Sequence, residues 1–313
     1  MSASAILLMG PTASRKTEFA VSLCKRFPCD VISVDSALVY RGMNIGTAKP
    51  DANTLARVPH RLIDIRDPEE SYSAGEFVRD ACAEMQEIHA RGRIPLLVGG
   101  TMMYFRALTE GIANLPPAND GIRREIDALA EESGWPAVHR ALAAVDPAAA
   151  ERINPNDSQR LQRALEVYRM SGKTLSDWQK EAQPPPSDIT NLKVGLHIEP
   201  RRILHERIAL RLEQMVASGF VDELRKLRER PGLTAQSPSM RCVGYRQFSE
   251  FLDGRLTLAQ AHEKALFATR QLAKRQFTWL RSEKSVFTIN PLEAGAIDAI
   301  SAHLKRRLDP QAG

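Results

Sequence analysis

The chain has 313 residues, 43% of them hydrophobic and 26% charged, with a formal net charge of +5. That balance excludes bulk disorder, and no apolar run approaches the ~20 residues needed to span a bilayer. Cys24, Cys29, Cys82 and Cys242 show no C-x-x-C pairing and no nearby His partners, which argues against structural zinc and for a reduced, cytoplasmic setting. The length predicts about two domains.

The first predicted element is the apolar run Ala5–Met9, a strand preceded by too few residues to form a signal peptide. It leads into Gly10, Pro11, Thr12, Ala13, Ser14, Arg15, Lys16 and Thr17, and then into the helical pattern Glu18 to Arg26. This is the layout of a phosphate-binding loop, G-x-x-x-x-G-K-[ST], with Arg15 standing at the second glycine. Such a loop needs inward N–H groups on a helix N-terminus, a lysine reaching the phosphate, and a hydroxyl for Mg²⁺. Arg15 either drives the loop from the positive-φ conformation or points outward. An ordinary strand–turn–helix with a surface Lys-Thr pair is the alternative.

Cys29–Val34 reads as a second strand, ending at Asp35. In a parallel sheet that end lines the ligand crevice, so Asp35 is expected beside the loop, as general base, helix cap or Mg²⁺ ligand. Ser36 to Pro50 reads as a functional loop, and Arg61–Ile65 as a third strand. Ser73 and Glu76 predict a capping box opening a helix that runs to about Ala90. Ile94–Val98 is a strand covered on both faces, closed by Gly99-Gly100-Thr101, where Thr101 offers either a ligand hydroxyl or a helix cap.

From Leu115-Pro-Pro onward, residues 118–181 carry helical patterns up to the proline-rich stretch Gln183–Asp188. They predict a helical insertion, 116–189, within a core formed by 1–115 and 190–313. Leu192–Ile198 resumes the sheet, helices follow to residue 230 with Arg207 and Arg211 on one face, and Ala268–Arg281 is a basic helix. Its Arg270, Lys274, Phe277 and Arg281 share a stripe. Val286–Ile289 and Ala296–Leu308 supply a last strand and helix. The fold class is therefore α/β, a phosphate-loop parallel-sheet core with a mainly helical insertion and a helical C-terminal region.

Residues 201–284 hold 17 Lys+Arg against 9 Asp+Glu, leaving the remainder net negative. Such a local excess suggests a polyanion-binding face, although solvated helix faces are the plainer reading. Within it, Arg241, Cys242, Val243, Gly244, Tyr245 and Arg246 place arginines beside an aromatic, a combination able to stack on an unpaired RNA base.

Together, Gly10–Thr17, Ser33–Arg41, Gly46–Pro50, Gly99–Thr101, Arg241–Arg246 and Thr269–Gln276 resemble the bacterial tRNA dimethylallyltransferases, in order and over nearly the whole chain. The resemblance implies transfer of a dimethylallyl group from dimethylallyl diphosphate to N6 of the adenosine 3′ of the anticodon, by a cytoplasmic monomer using Mg²⁺ and no membrane. It implies diphosphate or nucleotide binding by residues 10–17, metal binding by Thr17, and catalysis by Asp35 as base with Lys16, Thr17 and Arg211 (or Arg207). It implies contact with the tRNA anticodon stem-loop by Asp35, Ser36, Ala37, Leu38, Thr101, Arg123, Gln159, Arg160, Leu161, Gln162, Arg163 and residues 241–246. Arg15 departs from the family pattern, and weaker donor binding than in an Arg15→Gly variant is expected. A nucleoside-triphosphate-dependent kinase or ATPase, a prenyltransferase for free adenine nucleotides, and a non-catalytic RNA-binding protein are the competing readings.

Overall fold

A computed structural model describes residues 4–113, 115–181 and 190–308. Six strands, β1 (Ser4–Met9), β2 (Cys29–Val34), β3 (His60–Arg61), β4 (Ile94–Gly99), β5 (Thr190–Leu196) and β6 (Val286–Ile289), form one parallel sheet in the order β3-β2-β4-β1-β5-β6. The apolar run of β1 is long enough for a strand and is buried on both faces. Ala5, Leu7 and Met9 enter one core, while Ile6 and Leu8 enter the other. The same division holds in β2, where Ile32 and Val34 oppose Cys29 and Val31. Each fully buried Ile or Leu contributes about 1.5–3 kcal/mol, so the central strands are strongly held.

Around the sheet lie α1 (Lys16–Cys24), α2 (Ala52–Arg57), α3 (Ala74–Ala90) and α4 (Met102–Glu110). The expected capping box is present at α3: Ser73 Oγ accepts from Glu76 N at 3.2 Å, and Glu76 returns a carboxylate to Ser73 N at 2.8 Å. One expectation needs correction. The third strand covers only His60–Arg61 rather than Arg61–Ile65, because Leu62 and Asp64 turn to φ 61° and 56°. Within the polar stretch after residue 50, Asp51 caps the short helix α2 by accepting from Thr54 N at 2.6 Å.

The chain divides into two compact units, Met1–Thr109 with Ser187–Gly313, and Glu110–Pro186. The second holds α5 (Asp120–Ser133), α6 (Trp135–Val145), α7 (Pro147–Arg152), α8 (Ser158–Ser171) and α9 (Leu175–Lys180) around its own apolar centre of Ile126, Val138, Leu142, Leu161 and Leu165. The proline-rich stretch Gln183–Asp188 lies outside the described residues. After β5, the first unit continues with α10 (Arg201–Ala217), α11 (Phe220–Arg228), α12 (Tyr245–Leu252) and the 25-residue α13 (Leu258–Ser282), then β6 and α14 (Ala296–Leu308).

Strand register brings Met9, Val34 and Gly99 level at the C-terminal ends of β1, β2 and β4. The segments that follow them, residues 10–17, Asp35–Leu38 and Gly100-Thr101, therefore emerge side by side at one sheet edge.

Candidate active site

The loop after β1 forms a left-handed turn without its second glycine. Ala13 and Arg15 adopt φ 60° and 67°, and left-handed residues in such a turn curl successive N–H groups toward a common centre. Arg15 keeps the positive φ and sends its guanidinium outward, to Glu18 at 2.7 Å and to the carbonyl of Pro291 at 3.1 Å. Of the two consequences considered for Arg15, the outward-pointing side chain is the one observed. Gly10 has no room for a side chain, since a Cβ would lie 2.7 Å from Ser14 Oγ. Ser14 is buried and donates to Pro11 O at 2.8 Å, closing the turn.

Lys16 donates to Pro11 O at 2.6 Å. Burial first, and then the Arg211 guanidinium, lower its pKa to about 7, with the Asp35 carboxylate offsetting part of the effect. Arg211 is likewise shifted down, by burial first and also by the Arg207 guanidinium, while the Asp35 carboxylate opposes the shift. Both heads are crowded by protein on most sides, yet each side chain retains some solvent contact. Arg207 donates to Ala13 O at 3.0 Å, so it braces the loop backbone, while Arg211 is the arginine that acts on Lys16 and Asp35. Spacing alone left these two arginines indistinguishable.

Asp35 is half-buried, and its Oδ1 accepts from Ala37 N at 2.8 Å and Leu38 N at 3.3 Å, which fixes its rotamer. Its negative charge also reaches the Cys242 thiol, which burial and then Asp35 push up to about 12. Thr101 Oγ1 accepts from Ser36 N at 3.1 Å, and Thr101 N donates to Val34 O at 3.3 Å. A Cβ on Gly99 would lie 1.9 Å from Val34 O, so this close approach of β4 to β2 demands glycine. Thr17 opens α1 with an exposed hydroxyl that has no hydrogen-bond partner among the described residues. Lys16, Thr17, Asp35 and Thr101 thus lie in the segments that follow β1, β2 and β4, where Arg207 braces the first loop and the Asp35 carboxylate is in electrostatic reach of Lys16 and Arg211.

Other expected contact residues are placed differently. Tyr245 is fully buried, stands edge-on to Phe220 and donates to Glu223 Oε1 at 2.7 Å, so its ring is closed to a base. Gly244 is buried with it, whereas Arg241 and Arg246 are exposed and Val243 is half-buried. Leu161 packs wholly inside the second unit and presents no side chain to a ligand. The turn of α8 that carries it faces inward at that position, while Gln159 and Arg160 remain exposed, Arg160 paired with Asp157 at 2.5 Å. Gln162 donates to Asp127 at 2.6 Å. Arg123 and Arg163 both grip the fully buried carboxylate of Glu166, at 2.9 and 2.7 Å. Burial would raise the Glu166 pKa, but Asn119 N–H and these guanidinia outweigh it and hold it below its ordinary value. On α13, Phe277 is buried among Ile198, Leu204 and Ile208, while Lys274 and Arg281 are exposed, so the predicted stripe is divided between core and surface.

Two polar residues escaped sequence reasoning. Glu223 accepts from the N–H groups of Asn44, Ile45 and Gly46 at 2.8, 2.7 and 3.1 Å as well as from Tyr245. It ties the loop after β2 to α11 and α12. Gln276 sits in a motif visible in the sequence, but its role depends on contacts 264 and 176 residues away. Lys49 of the Gly46–Pro50 segment is buried against Asp64 at 2.6 Å and Tyr40 O at 2.9 Å, which makes this segment a brace for the loop.

Residues 38–283 match the family model described as IPP transferase. The full-length tRNA isopentenylpyrophosphate transferase of Bacillus halodurans is 36% identical, with a TM-score of 0.71 over 98% of this chain and 97% of that one. The tRNA delta(2)-isopentenylpyrophosphate transferase of Staphylococcus epidermidis is 32% identical, with a TM-score of 0.70 over 97% and 99%. A eukaryotic dimethylallyltransferase acting on tRNA is 25% identical, with a TM-score of 0.78 over 98% of this chain and 79% of that one. With that model matching residues 38–283 and two relatives above 30% identical over nearly their whole lengths, the chain belongs to the IPP transferase family.

Proposed function

We propose that the chain transfers a dimethylallyl group from dimethylallyl diphosphate to N6 of the adenosine 3′ of the anticodon in tRNA, releasing diphosphate. The observation that supports this most is the meeting of Asp35 with Lys16 and Arg211 at the rim of the phosphate loop. The donor's two phosphates occupy the loop, where Lys16 gives up its contact with Pro11 O to meet them. As the allylic C–O bond breaks, its electron pair passes to the diphosphate. Lys16 and Arg211 stabilise the growing charge. The N6 nitrogen forms the new C–N bond, and its proton passes to the Asp35 carboxylate. Asp35 is pre-aimed for that task by the two N–H groups it accepts, and Thr101 positions the base beside it.

Mg²⁺ fits this arrangement in one way. No group of three or more His, Cys, Asp or Glu side chains among the described residues could hold a metal, so the ion would rest on the Thr17 hydroxyl, donor phosphate oxygens and water. When bound, it would neutralise charge on the leaving diphosphate. The protein acts as a cytoplasmic monomer on the tRNA anticodon stem-loop, and among the described residues no helix is long and apolar enough to cross a membrane.

The test combines protein, Mg²⁺, dimethylallyl diphosphate and unmodified tRNA, followed by mass analysis of the nucleosides. A five-carbon gain on adenosine is expected. ATP turnover without a prenyl donor, and no such product, would instead favour the triphosphate-hydrolysing reading. An Asp35→Ala variant is expected to bind tRNA normally and lose roughly 10²–10⁴-fold in turnover.

A further inference from the structure

Gln276 lies on α13, in the Thr269–Gln276 motif to which neither the sequence nor the reaction assigns a role. It is 9% exposed and uses both ends of its amide. Its Oε1 accepts from Thr12 N at 2.9 Å, and its Nε2 donates to Gly100 O at 2.8 Å. The reverse amide orientation would set N–H against N–H and oxygen against oxygen, so the network dictates which way it points. Contact here is tight: a Cβ on Gly100 would lie 2.5 Å from Gln276 Nε2 and 3.1 Å from Gly10 O. The phosphate loop, the turn after β4 and α13 are pressed together around this one amide.

The connection continues. Thr101 follows Gly100 directly, and its Oγ1 accepts from the N–H of Ser36, the residue after Asp35. A hydrogen-bonded path thus runs from Thr12 in the donor loop, through Gln276, to the turn that positions the acceptor and the base. We infer that Gln276 is a positioning residue that sets the donor loop and the acceptor side in register. This inference rests on the prenyl-transfer reading given above. Its amide also occupies the Thr12 N–H, leaving the later loop N–H groups for the donor phosphates. Only a side chain that accepts at one atom and donates at the other satisfies both partners. A carboxylate cannot donate to Gly100 O, and a hydrocarbon can do neither. A protonated carboxylic acid can do both.

That difference supplies a test that bulk and fold do not mimic. Full-length wild type, Gln276→Glu and Gln276→Met are compared in single-turnover prenylation of unmodified tRNA between pH 6 and pH 8.5. The tRNA affinity and thermal unfolding of each are measured alongside. The surrounding elements carry Lys16, Asp35, Arg207 and Arg211, with Arg106 on α4 and Lys274 and Arg275 on α13 itself. Taking each variant's rate relative to wild type at the same pH removes their own titrations. Burial and the facing Gly100 O raise the pKa of a carboxyl group at this position.

At pH 8 we expect Gln276→Glu to be about tenfold to a hundredfold slower than wild type, the scale of an ångström-level misplacement. The ratio should climb toward one as the pH falls to 6. Gln276→Met should be slow at every pH, and both variants should bind tRNA as wild type does. A Gln276→Glu protein that equals wild type at pH 8, or whose deficit is flat with pH, overturns the inference. Should Gln276→Glu not fold, wild-type rates in a folded Gln276→Met protein overturn it equally. A wild type that makes no prenylated adenosine removes the underlying reaction, whereas an active wild type with a flat ratio removes only the role of Gln276.

Discussion

Lys16 carries a proton question. With its pKa lowered to about 7 by burial and Arg211, the free protein holds a largely neutral amine at pH 8. A donor diphosphate favours the ammonium form, so binding at pH 8 should draw in about one proton, and the uptake should shrink toward pH 6, where Lys16 is already charged. Calorimetry of donor binding in buffers of different ionisation enthalpy measures this directly, and equal apparent enthalpies at pH 8 would contradict it. Arg15 poses the opposite case, a departure in sequence that is nearly silent in geometry. A left-handed arginine costs about 1 kcal/mol, while its bonds to Glu18 and Pro291 O return part of that. Arg15→Gly relieves the backbone but loosens the unfolded chain and loses both contacts. We expect a stability change within about 1 kcal/mol and a donor Michaelis constant within about twofold of wild type. This replaces the weakened donor binding expected from the motif alone, because the guanidinium points away from the loop's interior.

At the scale of elements, the most consequential polar contact in the second unit is Glu166 on α8. It fastens Arg123 of α5 and the N-cap backbone of that helix, with Arg163 on its own helix completing the set. Removing a partner from a fully enclosed ion pair costs about 3–5 kcal/mol. Both guanidinia here still reach water, so Glu166→Gln should cost about 2 kcal/mol by denaturant unfolding of the full chain. The sign with pH is definite. Its native pKa lies below the ordinary 4.5, so the contribution is fully present above 4.5 and is lost as the pH falls through the native value. The wild type and Glu166→Gln should therefore converge in stability in strong acid. A constant difference down to pH 2 would refute this. Arg123 and Arg163, expected to meet tRNA, are thus oriented by a buried acid, and any phosphate contact must use the N–H groups that Glu166 leaves free.

For the whole molecule, charge and its placement decide how a polyanion is met. The basic excess between residues 201 and 284 is spread over surface and interior. Arg207 braces Ala13 O and Arg211 interacts with Asp35, whereas Arg241, ahead of α12, and Arg246, in its first turn, stay exposed. Replacing Arg241 and Arg246 together by alanine should weaken tRNA binding at low salt. It should also flatten the slope of log affinity against log salt by about 1 per lost phosphate contact. Filter binding across a salt series measures both, and an unchanged slope would exclude these arginines from phosphate contact.

Sequence alone determined what depends on neighbours along the chain. The runs Ala5–Met9 and Ile94–Val98, the Ser73–Glu76 cap and the spacing from Gly10 to Thr17 are local patterns. Backbone geometry translates them into strands, a capped helix and a tight strand-to-helix loop. It also placed Asp35 beside that loop, because a parallel sheet puts all its strand ends on one edge. Only the tertiary structure decided which side of an element a polar residue serves. Tyr245, expected to stack on a base, is sealed in the core. Arg207 braces a carbonyl while Arg211, one turn on, acts on Lys16 and Asp35. Glu223 and Gln276 gained roles from partners more than 150 residues away. Those outcomes depend on which surfaces become buried against each other, and burial is what raises the cost of leaving a polar group unpaired.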